Sequence, residues 1–122
     1  MQKLSEVKNR YNEKLKEYQM YYIDSVVGSD RKIKNQMKKK ADEVSIPLKY
    51  YEAEVRTIES LINWLEGNIK SYNDSVTNLY EIQADPQRAK KIYGSLRNVK
   101  EAIISESSKR VALENLLTYL KS

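Results

Sequence analysis

The sequence predicts an all-α fold: a single helical domain over 1–122, a bundle or hairpin of about four long, coiled-coil-like helices. Three observations carry this. Only three Gly and two Pro punctuate 122 residues, too few turns for a fold of many short strands. Apolar residues recur three and four apart along most of the chain, the spacing of one face of a helix. The breaks between those stretches carry capping chemistry: Gly28-Ser29-Asp30, Ser45-Ile46-Pro47 and Ala84-Asp85-Pro86.

The first helix is expected over 3–27. Its stripe of Leu4, Val7, Tyr11, Leu15, Tyr18, Tyr22 and Val26 has an eleven-residue period, which favours nearly straight or weakly right-handed packing. Ser29 or Asp30 can cap the second helix, expected over 30–44. There Ile33, Met37, Ala41 and Val44 form a narrow stripe beneath a dense cationic face. Pro47 suits a first helical turn and resists an interior, so a third helix is expected over 47–82.

That third helix carries the strongest pattern. Leu48, Tyr51, Val55, Ile58, Ile62, Leu65, Ile69, Tyr72, Val76 and Leu79 form an unbroken heptad seam. Glu52, Glu54, Glu59 and Glu66 flank it, and a parallel self-pair would oppose Glu54 to Glu59, so like charge disfavours that homodimer. A basic partner suits it better. The fourth helix, expected over 86–120 after the Asp85-Pro86 cap, supplies Arg88, Lys90, Lys91, Arg97 and Lys100. Its stripe runs Ala89, Ile92, Leu96, Val99 and Ile103 and resumes at Leu113, Leu117 and Leu120, with Ser105–Arg110 placed for a kink or turn. An antiparallel hairpin of these two helices follows.

Chemistry is constrained by what is missing. Without Cys there are no disulfides or thiolate ligands, and without His the commonest general base and transition-metal ligand are gone. No Gly-rich phosphate loop, nucleophile elbow or EF-hand spacing occurs. Glu52, Glu59 and Glu66 share a helix edge but read as solvated flanks about two turns apart. The expectation is a protein without cofactor or catalysis. No run approaches a membrane span and the first residues lack an apolar signal core, so a soluble, cytoplasmic chain is expected, in the host cytoplasm if viral.

Charge is the positive clue. The net +5 divides into −3 over 47–82 against +3 over 29–46 and +5 over 86–122. Arg31, Lys32, Lys34, Lys38, Lys39 and Lys40 fall within ten residues without an acid, and Arg88, Lys90, Lys91 and Arg97 form a second group around Tyr93. Two basic surfaces on a helical scaffold suit a phosphate backbone, because each neutralised phosphate releases a condensed counterion. Sixteen Lys against six Arg favour backbone contact over base reading. Lys14 and Lys16 lie beside Tyr18, Tyr21 and Tyr22, the pairing of cation and ring on which single-stranded bases stack. The blander readings are a solvated lysine face and tyrosines packed in the core. An anionic membrane ranks below nucleic acid, since the basic segment lacks Trp or Phe on its apolar side. Trp64 with Leu61 widens the long helix into a second face suited to a subunit contact.

Three strings, KLKEYQMYY (14–22) with Gly28 after it, ADEV (41–44) and LINWLEGNIKSYND (61–74), resemble segments of the phage T4-type UvsY recombination mediators. The resemblance covers about 14–82 and leaves 86–122 without a counterpart. It implies a helical, ring-forming homo-oligomer that binds single-stranded DNA and helps a RecA-like recombinase displace single-strand binding protein. Phosphate contacts would fall on Lys14 and Lys16, and the oligomerising seam on Ile62, Leu65, Ile69 and Tyr72. The sequence therefore favours a nucleic-acid-binding oligomer, single-stranded DNA being preferred. The alternative is a protein-interaction or scaffold module, whether a coiled-coil assembly or a small inhibitor of a host protein.

Overall fold

The computed structural model describes residues 2–28 and 30–122, and among these it contains four helices and no strand: α1 (Leu4–Val27), α2 (Arg31–Gln83), α3 (Pro86–Tyr93) and α4 (Leu96–Lys121). The all-α expectation holds, but two boundaries differ. The second and third expected helices are one helix of 53 residues with Pro47 inside it. The fourth divides at Gly94 into α3 and α4.

Why the Pro47 break fails is clear from the stripe itself. Met37, Ala41, Val44, Leu48 and Tyr51 keep steps of four and three straight across the proline, so the buried face is never interrupted. Ala41 and Val44 before it and Ile58 after it are buried. Burying one large aliphatic side chain is worth ~1.5–3 kcal/mol, and several together exceed the ~3 kcal/mol of a helix-interior proline. Pro47 removes the bond to the carbonyl of exposed Glu43, where water can replace it. At the start of α2 the Asp30 carboxylate accepts from Lys32 N at 2.9 Å, and the Asp30 carbonyl accepts from Lys34 N at 2.9 Å. Asp30 thus acts as cap; the other cap candidate, Ser29, lies outside the described residues.

Gly94 stops α3 in the left-handed conformation, φ 85°, and its N–H donates to Lys90 O at 3.0 Å. Ser95 then opens α4, its Oγ accepting from Asn98 N at 3.1 Å, while Asn98 Nδ2 donates to Tyr93 O at 2.7 Å. The break rotates the expected stripe out of phase, leaving Ile92 55% exposed and Leu96 37% exposed, with Tyr93 packed against the core instead. Ser105–Arg110 holds no turn, because α4 runs through it unbroken. A Cβ at Gly94 would meet only Asn98 Nδ2, at an ordinary 3.6 Å, so a substitution there is opposed by the backbone torsion and not by packing. Gly94→Val should therefore lower the thermal midpoint by the equivalent of about 1–2 kcal/mol or more. Gly94→Asn should cost visibly less, since Asn tolerates this region. Equal melting curves for both variants would show that the turn is not strained.

The chain groups into two compact units. The first runs through Ser60 and includes Leu120–Ser122; the second is Leu61–Tyr119. In the first, α1 runs antiparallel to the first half of α2: Lys8 meets Glu59 at 3.7 Å, while Lys40 sits over Tyr21 at the other end. Val7, Ala41, Val44, Ile58 and Leu120 are its buried residues. In the second, Leu79, Ile82, Ala89, Val99 and Ile103 form one cluster, and Arg110 Nη1 donates to Asn73 Oδ1 at 3.2 Å. Those pairings set α4 antiparallel to the second half of α2, with α3 as the corner. No helix among the described residues is long and apolar enough to cross a membrane.

Candidate nucleic-acid interface

Ten of the heptad-seam residues of α2 are buried or half-buried within the chain itself, and Ile82 extends the seam by one more step. Ile62 and Leu65, expected at an oligomer interface, are interior; Ile69, Tyr72 and Leu61 are half-buried, and Trp64 alone of that group is largely exposed, at 58%. Two of the glutamates beside the seam find their cations elsewhere than in the fourth helix. Glu52 pairs with Arg56 one turn on, and Glu59 with Lys8 of α1, because this half of α2 packs on α1. Glu52 and Glu59 thus do not make the expected match with the cations of the fourth helix.

The basic groups are therefore left over. Arg31, Lys32, Lys38, Lys39 and Lys40 are exposed and Lys34 is half-exposed, and among the described residues none of the six has an ion-pair partner. They load the first three turns of α2, whose first turn has no acid. The helix dipole places partial positive charge at that same end, so these cations repel it and one another. An anion laid across them relieves both repulsions.

In the second unit, Arg88, Lys90 and Lys91 are exposed on α3 and, among the described residues, make no ion pair, whereas Arg97 is drawn to Glu101 at 3.3 Å. Lys90 and Lys91 occupy the last turn of α3, where the dipole favours them. On α1, Lys16 is exposed and makes no ion pair among the described residues, and Lys14 is engaged by Glu17 at 3.2 Å.

The tyrosines divide between packing and display. Tyr18 and Tyr22 stack with centroids 6.1 Å apart and planes 20° apart, Tyr18 half-buried and Tyr22 54% exposed. Tyr22 thus is not a core residue of the stripe, because α1 loses its burial toward its end: Ile23, Val26 and Val27 are exposed as well. Tyr21, between them in sequence, lies half-buried with Lys40 Nζ 5.6 Å from its ring centre. That contact places a cation of the basic run within reach of an aromatic face in the same unit.

One group escaped the sequence reading. Tyr50 and Glu54, one turn apart on α2, share a hydrogen bond, and this bond followed by the charge on Glu54 holds the Tyr50 phenol above its usual range. Slight burial and Tyr51 act the same way, and Arg10 of α1 acts against them. A raised phenol favours the folded state below the unfolded value of about 10 and loses that advantage as pH climbs through the folded value. The i, i+4 spacing of Tyr50 and Glu54 was the available signal, hidden because both read as outer positions of the seam. Among the described residues no set of three or more acidic side chains converges as a metal site would require. Compared with known protein families, curated proteins and solved structures, the chain finds no match.

Proposed function

We propose that this chain is a non-catalytic binding protein for single-stranded nucleic acid, DNA in preference, acting as a homo-oligomer. The observation that carries the proposal is the run Arg31, Lys32, Lys34, Lys38, Lys39 and Lys40, left without ion pairs at the positive end of α2. Phosphates supply the missing counter-charge, and their bound counterions drive the association entropically. The free cations of α3 extend the contact on the second unit. Tyr21 beside Lys40 and the exposed ring of Tyr22 favour a single strand, whose unstacked bases have free faces to lay on them. The resemblance of 14–82 to UvsY-type mediators points to the same target and to a recombinase as protein partner.

The test is fluorescence polarisation with single- and double-stranded oligonucleotides at about 50 and 200 mM salt. Binding should weaken steeply between the two, the single strand being held more tightly. Neutralising Lys38, Lys39 and Lys40 to Gln should reduce the slope of log affinity on log salt by about 2, since each single-strand phosphate contact contributes ~0.7. No binding at the lower salt, or affinity indifferent to salt, overturns the proposal. A second reading, a protein-interaction module, draws on Trp64, an exposed indole with nothing packed over most of its surface. Light scattering on the same samples, read against a Trp64→Ala variant, separates the two.

A further inference from the structure

In the first unit a cavity of about 350 Å³ lies between α1 and α2, lined by Gln2, Val7, Tyr50, Ala53, Glu54, Thr57 and Ile58. Val7 and Ile58 are buried and make an apolar floor, with exposed Ala53 at its open edge. Here Glu54 Oε2 is shielded from solvent and, among the described residues, accepts from no donor. Tyr50 bonds the same carboxylate but leaves Oε2 without a donor, and the Thr57 hydroxyl is already committed to Ala53 O at 2.9 Å. An ionised carboxylate oxygen left without a donor in such a place is costly, and its need is specific: an N–H or O–H, preferably charged.

We propose that this cavity binds a small organic ammonium ion, its N–H groups donating to Glu54 Oε2 and its apolar part lying against Val7, Ala53 and Ile58. The volume falls at the lower end of the range for small-molecule sites, roughly 300–1,000 Å³. It greatly exceeds the space of a single water, about 30 Å³. A divalent metal ion needs several oxygens, usually including more than one carboxylate, and Glu54 is the only acid lining the cavity. The exposed Tyr50 ring at the rim adds a π-face for a cation. Arg10, the cation nearest in effect, makes no ion pair with Glu54 that would already satisfy it. The site shares no residue with the basic run of α2, so it stands or falls apart from the nucleic-acid proposal.

The probe is 2-phenylethylammonium, titrated into the whole chain by methyl and aromatic NMR, with 2-phenylethanol as the neutral control of equal body. The ammonium should produce saturable shifts at Val7, Ile58 and Tyr50. The alcohol should bind about tenfold more weakly or worse, for want of a charge-assisted bond. Glu54→Gln should lose a comparable factor. Ala53→Leu fills the cavity with the carboxylate intact and should abolish binding, while circular dichroism shows both variants folded. Equal binding of amine and alcohol, unchanged affinity in either folded variant, or shifts confined to other residues would overturn the proposal.

Discussion

Replacing Leu65 by Ala should lower the stability of the second unit by about 2–5 kcal/mol, against a total of ~5–15 kcal/mol for an ordinary domain. Leu65 is fully buried on the inner seam of α2, with Ile62 one turn before it also buried. Truncation removes the transfer energy of the lost methyl-bearing carbons and leaves a cavity that rigid helices refill only partly. The measurement is direct, because Trp64 is the only tryptophan and sits beside the mutated position. Urea unfolding followed by its fluorescence should show a lower midpoint with an unchanged slope. Leu61→Ala, at a half-buried site of the same unit, should cost distinctly less. If the two variants unfold together, Leu65 is not packed as described.

The second large effect runs the other way. Pro47→Ala should stabilise the first unit by about 1–3 kcal/mol. A helix-interior proline is ~3 kcal/mol worse than Ala, and here Ala restores an N–H that can donate to the Glu43 carbonyl. Part of the gain is returned, since Pro also restricts the unfolded chain by ~0.4–1 kcal/mol. Ala41, Val44 and Ile58 keep their burial because the stripe is already in phase across position 47. Hydrogen exchange of the amides from Asp42 to Tyr51 should slow in the variant. A loss of stability would mean that α2 needs the proline at position 47 to seat on α1.

These two positions also mark what the sequence made legible. The seam from Leu48 to Leu79 was readable because a heptad pattern fixes which side of a helix is buried, whichever helix covers it. Leu65 and Val76 were assigned to an apolar face on that ground alone, and both are buried. The error at Pro47 came from weighing a local signal above a longer one. The stripe from Met37 to Tyr51 was already continuous in the sequence, and continuity over four turns outweighs one missing hydrogen bond. At Gly94 the mistake was the reverse. Ala89, Ile92, Leu96 and Val99 imitate a continuous stripe, yet a left-handed Gly followed by a Ser cap ends the helix between them. The cation runs were readable as charge, but their freedom from acidic partners was not. That depended on Glu52 and Glu59 being engaged by Arg56 and Lys8. The cavity at Glu54 was beyond sequence reasoning, since it arises from how Val7 of a distant helix meets one turn of α2.

Leu120–Ser122 belong to the first unit although the rest of α4 belongs to the second. Leu120 is fully buried, and Ser5 Oγ donates to Ser122 O at 3.0 Å, joining positions 117 apart. Most packing here follows from neighbouring helices, the local kind of contact that forms quickly. This closure is the exception. A ribosome delivers Ser5 long before Leu120, with the whole of the second unit made between them, so the first unit completes its interior only after the second has been synthesised. The second unit's own cluster, Leu79 to Ile103, is therefore available to close before Leu120 can complete the first unit.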